Sequence, residues 1–190
     1  MVADSLRTHE YHQPSFYHFN EDSLLLSQFI RERMTITVDT ALCEFGAGCG
    51  VISYEIARKS QVGTLHLVEA QREFKDFLEA NRKTYQLSQV EFSIEDIKNF
   101  KSSRLFDGLY FNPPYFFEDS SRPSGNLNRE KCRRIKREAF EDWFIKAHEL
   151  LKKDGDLFFC FREDVSIPAD FRLVCQRETN GAILFHYKSY

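Results

Sequence analysis

No stretch of this chain approaches the roughly 20 consecutive apolar residues that a membrane-spanning helix needs, and Met1 to Glu10 holds no apolar segment that could act as a signal peptide. A cytoplasmic location with no membrane partner is the resulting expectation. Cysteine is sparse and odd in number. Cys43, Cys49, Cys132, Cys160 and Cys175 show none of the paired spacings of a zinc site or a disulfide framework, so reduced thiols are expected. His9, His12 and His18 lie near one another but lack the cysteine or carboxylate partners that would complete a metal site, and no metal is expected. Charge of one sign is also missing: a net −3 over 190 residues neither suggests nor forbids nucleic acid. The chain contains no internal repeat and no low-complexity tract.

Phenylalanine is abundant instead, with 19 residues, and 42% hydrophobic with 29% charged residues is a globular composition around an aromatic core. The length suits one substantial domain rather than two. Elements alternate along it. Leu24, Leu25, Phe29 and Ile30 form the apolar stripe of an N-terminal helix, with Asp22-Ser23 as its possible cap. A strand over Thr40–Phe45 is halted by Gly46-Ala47-Gly48-Cys49-Gly50, and Val51 to Lys59 reads as helix. Thr64 to Val68 reads as a strand closing on Glu69, Phe74 to Tyr85 has helical spacing, and Val90, Phe92 and Ile94 alternate as in a half-buried strand. Leu105 to Phe111 is a fourth strand. A long loop from Phe116 to about Asn128 leads to a basic, then amphipathic helix with Phe140, Trp143, Phe144, Ala147, Leu150 and Leu151 on one face. Lys152-Lys153 and Gly155 suit its end. Leu157–Phe161, Phe171–Cys175 and Ile183–Tyr187 are the remaining strands. This alternation predicts an α/β fold: a Rossmann-like, seven-stranded, mostly parallel sheet with helices on both faces.

Ligands in such sheets bind beyond the carboxyl ends of the strands. Gly46, Glu69, Asp96 and the tetrapeptide Asn112-Pro113-Pro114-Tyr115 all follow strand ends, so all are expected on one sheet edge. The glycine turn lets a ligand approach the backbone closely, though its spacing departs from the dinucleotide pattern and no phosphate-loop Lys-Ser or Lys-Thr follows. Glu69, 23 residues after Gly46, can accept both hydroxyls of a ribose; its bland alternative is a solvated strand-end acid. Asp96 can accept from an adenine amino group or cap a helix ahead of Ile97. Asn-Pro-Pro-Tyr reads either as a strand-ending polyproline turn or as a receptor for a planar NH2 group, with the Asn112 amide oxygen and the Pro113 carbonyl as acceptors and Tyr115 as a stacking face.

In combination these features resemble the S-adenosylmethionine-dependent methyltransferases that modify planar amino or amide nitrogens. Glu44-Phe45-Gly46-Ala47-Gly48-Cys49-Gly50 matches their glycine-rich motif, Leu67-Val68-Glu69 their ribose-binding acid, Glu95-Asp96-Ile97 their adenine contact and Asn112-Pro113-Pro114-Tyr115 their catalytic motif. Phe19 to Leu26 further resembles the N-terminal segment of the bacterial tRNA(Val) adenine-N6 methyltransferase family. The resemblance implies a class I methyltransferase fold, with an N-terminal segment over 1–36 flanking the cofactor cleft and a cofactor-binding domain over 37–190. It implies S-adenosylmethionine as cofactor, held by Glu44, Gly46, Ala47, Gly48, Glu69, Ala70, Asp96, Ile97 and Asn112. Catalysis then falls to Asn112, Pro113, Pro114 and Tyr115, acting on adenine in RNA, most naturally tRNA.

Arg122, Arg129, Lys131, Arg133, Arg134, Lys136 and Arg137 stand against one acid, Glu130, beside the proposed site. They read as phosphate contacts or as a solvated helix face. Between Phe161 and Phe171, where the fold normally has a whole helix, Pro168 makes a long one unfavourable. A helix is therefore expected to be shortened or missing, and a homodimer covering the bared face is one consequence. A protein glutamine amide, DNA adenine, or a non-catalytic cofactor- or RNA-binding role are the alternatives the sequence leaves open.

Overall fold

The structure is a computed structural model and describes residues 11–118 and 126–190. Arg122 lies outside the described residues. A seven-stranded sheet organises the chain, with β1 (Ala41–Phe45), β2 (Thr64–Glu69), β3 (Val90–Ile94), β4 (Phe106–Phe111), β7 (Leu151–Phe161), β8 (Phe171–Glu178) and β9 (Ile183–Ser189) in the order β3-β2-β1-β4-β7-β9-β8. The first five in that order are parallel, and β9 runs antiparallel to both β7 and β8. Register brings their carboxyl ends level: Phe45 pairs with Val68 and Phe111, Glu69 with Ile94, and Phe111 with Phe159.

Alternation along the strands divides the core into two. Cys43, Phe45, Leu109, Phe111, Leu157, Phe159 and Phe161 face α5 (Arg137–Leu150). Leu42, Tyr110, Phe158 and Cys160 face the opposite layer, which contains α1 (Glu21–Arg33), α2 (Val51–Lys59) and α3 (Lys75–Thr84). Central strands covered on both faces read as near-continuous apolar runs, which is why β4 and the Leu157–Phe161 part of β7 stand out in the sequence. Leu24, Leu26, Phe29 and Ile30 of α1 share the second core with Ile52 and Ile56 of α2.

Three local expectations are corrected. The basic-to-amphipathic helix is broken: α4 (Leu127–Lys131) ends before β6 (Arg134–Ile135), which pairs in parallel with β5 (Phe116–Phe117), and α5 starts afresh at Arg137. Burial of Ile135 and the ladder bonds from Phe116 N to Arg133 O (3.1 Å) and from Glu118 N to Ile135 O (3.1 Å) outweigh helix continuity there. At its far end α5 needs no glycine stop, because Leu151 already has extended backbone and opens β7. Lys152 lies in that strand and pairs with Asp107 at 2.5 Å, in a bulge where Asp154 takes the positive φ. At the N-terminus of α1 the cap position is Asn20, and Asp22 and Ser23 turn their side chains elsewhere.

Residues 162–170 link β7 to β8 without a helix. Leu173 and Val174 on the edge strand β8 are exposed. Among the described residues no helix is long and apolar enough to cross a membrane, and no group of three His, Cys, Asp or Glu side chains could hold a metal.

Candidate active site

The turn between β1 and α2 sits in the left-handed region, with φ of +60° at Gly46 and +57° at Gly48. The two glycines differ in what surrounds them. A Cβ on Gly46 would come within 2.8 Å of Trp143 Cη2, so the indole of α5 packs directly across that turn. A Cβ on Gly48 would meet only Phe74 at 3.8 Å, leaving open space of the kind a closely approaching ligand fills.

Two buried carboxyls flank this turn. Glu69, at the end of β2, accepts the backbone N–H of Gly48 on Oε2 and of Gln71 on Oε1, both at 2.7 Å. Burial pushes it above the usual carboxylate range, against the pull of those donors. Each oxygen retains a lone pair for a hydroxyl. Glu44, in β1, accepts from Ser53 N at 3.2 Å and from the Ser53 hydroxyl, which in turn contacts the Tyr110 hydroxyl at 2.6 Å. Burial pushes the Glu44 carboxyl up to about 8, opposed by the Ser53 hydrogen bonds and reinforced by the nearby Glu69. An incoming cation would restore its charge.

Beyond β4, Asn112 donates from Nδ2 to Ser23 Oγ (2.9 Å), and its Oδ1 accepts from the Cys160 thiol (2.9 Å). The Tyr115 hydroxyl donates to Asp22 Oδ2 at 2.8 Å. The Arg162 guanidinium lies 5.1 Å over the Tyr115 ring and 5.0 Å over Phe116. A flat cation held there marks a face on which a flat group stacks.

Two cavities meet at this motif. One, of about 240 Å3, is lined by Glu44, Gly46, Ala47, Gly48, Glu69, Ala70, Ile97 and Asn112 among others. The second, of about 350 Å3, is lined by Pro113, Tyr115, Phe116, Arg129, Arg133 and Arg162 among others. Tyr17, Asn112, Pro114 and Cys132 belong to both walls. Asp96 is placed outside them: exposed, it accepts Lys98 N at 2.9 Å as a turn cap, while its neighbour Ile97 reaches the first cavity.

The basic stretch does not form one face. Arg129 and Arg133 line the second cavity and Lys131 the first. Arg134 is turned inward, 3.3 Å from Glu130 and bonded to the Glu118 carbonyl, and Arg137 sits 4.0 Å over the Phe117 ring. Lys136 is exposed.

Residues 19–177 match the model of the methyltransferase small domain family. The chain belongs to this family of S-adenosylmethionine-dependent methyltransferases. A curated relative, the tRNA1(Val) (adenine(37)-N6)-methyltransferase of Glaesserella parasuis, is 25% identical over 119 residues, 62% of this chain and 49% of the relative. The matched region thus spans about half the length of that protein. Similar solved folds include TrmN from Thermus thermophilus (TM-score 0.68, 16% identity, 88% of this chain and 49% of that one). Another is a putative RNA methyltransferase from Pyrococcus horikoshii (TM-score 0.66, 16% identity, 96% and 87%).

Within this methyltransferase domain, several cavity residues escaped the sequence. Gln71 and Phe74 from the short turn after β2, Cys132 from the end of α4 and Trp143 from α5 line the first cavity, and no local spacing announces them together. Arg162 was within reach, because it directly follows β7 at the same sheet edge as the other motifs.

Proposed function

We propose that this chain is a cytoplasmic enzyme that methylates the exocyclic amino nitrogen of adenine in RNA, with tRNA the favoured substrate. The observation that carries this reading is the pair of cavities joined at Asn112 and Pro114, one beside the glycine turn and two carboxyls, the other beside three arginines. The name of the Glaesserella parasuis relative supports the choice of acceptor.

The first cavity suits the cofactor: open space at Gly48, a ribose acceptor in Glu69, an anion in Glu44 for the positive end, and Ile97 as an apolar surface for adenine. Bound S-adenosylmethionine supplies an electrophilic methyl group on a sulfonium. The protein's part is on the acceptor side. An exocyclic amine is a poor nucleophile because its lone pair is delocalised into the ring. Asn112 Oδ1 and the Pro113 carbonyl would accept its two N–H groups and localise that pair. Pro114 stiffens the turn that holds both, and Tyr115 gives the base a face, which Arg162 has to share or yield. Catalysis here is orientation and electrostatics rather than strong base. The nitrogen forms its bond to the methyl carbon as the carbon–sulfur bond breaks, and the extra proton of the alkylated, now strongly acidic nitrogen passes to water afterwards. Arg129, Arg133 and Arg162 would meet the phosphates of a flipped-out nucleotide. A protein amide offers them no such partner.

Incubating the protein with methyl-labelled S-adenosylmethionine and, separately, tRNA, rRNA, DNA and protein tests this. Label is expected in tRNA and is lost with Asn112→Ala. Label in protein alone overturns the RNA reading, and cofactor binding with no transfer to any pool overturns the enzymatic one.

A further inference from the structure

Five side chains from three parts of the chain form a run of hydrogen bonds and one close oxygen–sulfur contact behind the acceptor motif, closed into a ring by the peptide bond between Asp22 and Ser23. Asp22 and Ser23 are neighbours in the first turn of α1, Asn112 and Tyr115 stand in the turn after β4, and Cys160 is the penultimate residue of β7. The Tyr115 hydroxyl donates to Asp22 Oδ2 (2.8 Å) and lies 3.3 Å from Cys160 Sγ. The Cys160 thiol donates to Asn112 Oδ1, and Asn112 Nδ2 donates to Ser23 Oγ, both at 2.9 Å. None of these bonds is local: Asn112 reaches 89 positions back along the chain and Tyr115 reaches 93.

The ring has a sense of direction. A carboxylate only accepts, so the tyrosine hydrogen points to Asp22. The thiol has one hydrogen and two acceptors within reach, the Asn112 oxygen at 2.9 Å and the Tyr115 oxygen at 3.3 Å; the nearer takes it, which leaves the Tyr115–Cys160 approach without a hydrogen of its own. That choice fixes the amide. Its oxygen turns to Cys160 and its nitrogen to Ser23. An asparagine side chain is nearly the same shape after a 180° flip. Flipped, it would face the acceptor amine with a donor, and the thiol would have to swing its hydrogen from the partner at 2.9 Å to the more distant Tyr115 oxygen at 3.3 Å. An amide that must offer oxygen to an NH2 group therefore needs something behind it to set which end is oxygen.

We propose that Cys160, with Asp22 and Ser23, is a positioning residue for methyl transfer: it holds the Asn112 amide with its oxygen available to the acceptor nitrogen. This rests on Asn112 acting as proposed above. Cys160 and Ser23 are buried, where an unpartnered polar group is costly. Burial also pushes the Cys160 thiol well above its usual range, so it keeps the hydrogen that the role requires. The first turn of α1 thereby becomes part of the acceptor site instead of a cap for its own helix.

Three substitutions separate this role from packing: Cys160→Ser keeps a donor, Cys160→Ala removes it, and Cys160→Val fills the space without one. Loss of the donor is expected to lower kcat about tenfold, because misorientation of a reacting partner acts on turnover. Affinity for S-adenosylhomocysteine and the acceptor KM should stay within a factor of about two. Cys160→Ser is expected to retain most of kcat. Asp22→Asn should lower kcat as well, and combined with Cys160→Ala it should do less than the product of the two, since both act through one ring. An acceptor-free readout is the side-chain amide signal of Asn112 in 15N spectra, identified by its loss in Asn112→Asp. Solvent exchange of that signal should quicken in Cys160→Ala and Cys160→Val but not in Cys160→Ser. The proposal is overturned if Cys160→Val keeps both wild-type kcat and slow exchange, or if Cys160→Ser loses as much as Cys160→Val. Should Cys160→Val fail to fold, the Ala and Ser variants decide on the same criteria. If the wild type methylates no acceptor, the functional reading falls while the exchange measurement still decides the ring.

Discussion

Glu69 Oε2 accepts the Gly48 N–H at 2.7 Å, tying the end of β2 to the glycine turn after β1. One carboxylate thus shapes the turn and faces the cavity beside it. Replacing Glu69 with Ala leaves the part-buried N–H groups of Gly48 and Gln71 without their acceptor, at a cost of about 1–3 kcal/mol. Both the melting temperature and the affinity for S-adenosylhomocysteine should fall, measured by thermal unfolding and calorimetry. A variant that melts like wild type and binds as tightly would remove Glu69 from both roles.

Glu44 makes the protein's pH dependence a second test. Its folded value of about 8 lies above the ordinary carboxylate value of 4.5, so between those limits the folded state binds more protons than the unfolded chain. Its contribution to stability is therefore complete below about pH 4.5 and is lost as pH rises through 8. In the cofactor-free protein Glu44→Gln should raise the melting temperature relative to wild type at pH 8.5 and much less at pH 5. Cofactor affinity should move the other way. A cationic ligand favours the ionised carboxylate, so wild-type binding tightens from pH 6 to 8 and the Gln variant is weaker and flatter. Parallel curves for the two proteins would contradict this.

The three arginines of the second cavity, the proposed acceptor site, predict a salt signature. If Arg129, Arg133 and Arg162 contact phosphates, replacing each with Gln should weaken RNA binding and reduce the slope of log K against log salt by about one. Lys136, exposed and outside both cavities, serves as the comparison. Equal slopes for all variants would place the RNA elsewhere.

Phe144 tests the aromatic core that supports the site edge. It is buried and packs edge-on against Phe111, Phe140 and Phe159 at 5.1–5.5 Å between ring centres. Phe144→Ala should cost about 3–5 kcal/mol in chemical denaturation. A loss below about 1 kcal/mol would mean that the layer of α5 repacks around the gap.

What could be read from the sequence was local. The strand, turn and helix from Ala41 to Lys59 follow from apolar patterning and from glycines that permit positive φ, and the strand-end rule put Gly46, Glu69 and Asn112 on one edge. What could not be read depends on partners far along the chain. The break between α4 and α5 exists because Arg134-Ile135 finds Phe116-Phe117, a pairing no window around Arg134 contains. Asp22 and Ser23 look like an ordinary helix start until Tyr115 and Asn112 arrive beside them. Asp96 shows the opposite case: its capping chemistry is local, and its side chain accepts Lys98 N in a turn where the sequence suggested a helix.

The central claim is that Asn112 and Tyr115 receive the amino group of an adenine in RNA. The most direct measurement is mass spectrometry of nucleosides from tRNA after incubation with the protein and S-adenosylmethionine. The account predicts N6-methyladenosine with wild type and none with Asn112→Ala. A methyl group found instead on a ring nitrogen or carbon of a base, or on a glutamine side chain of a protein, would contradict it.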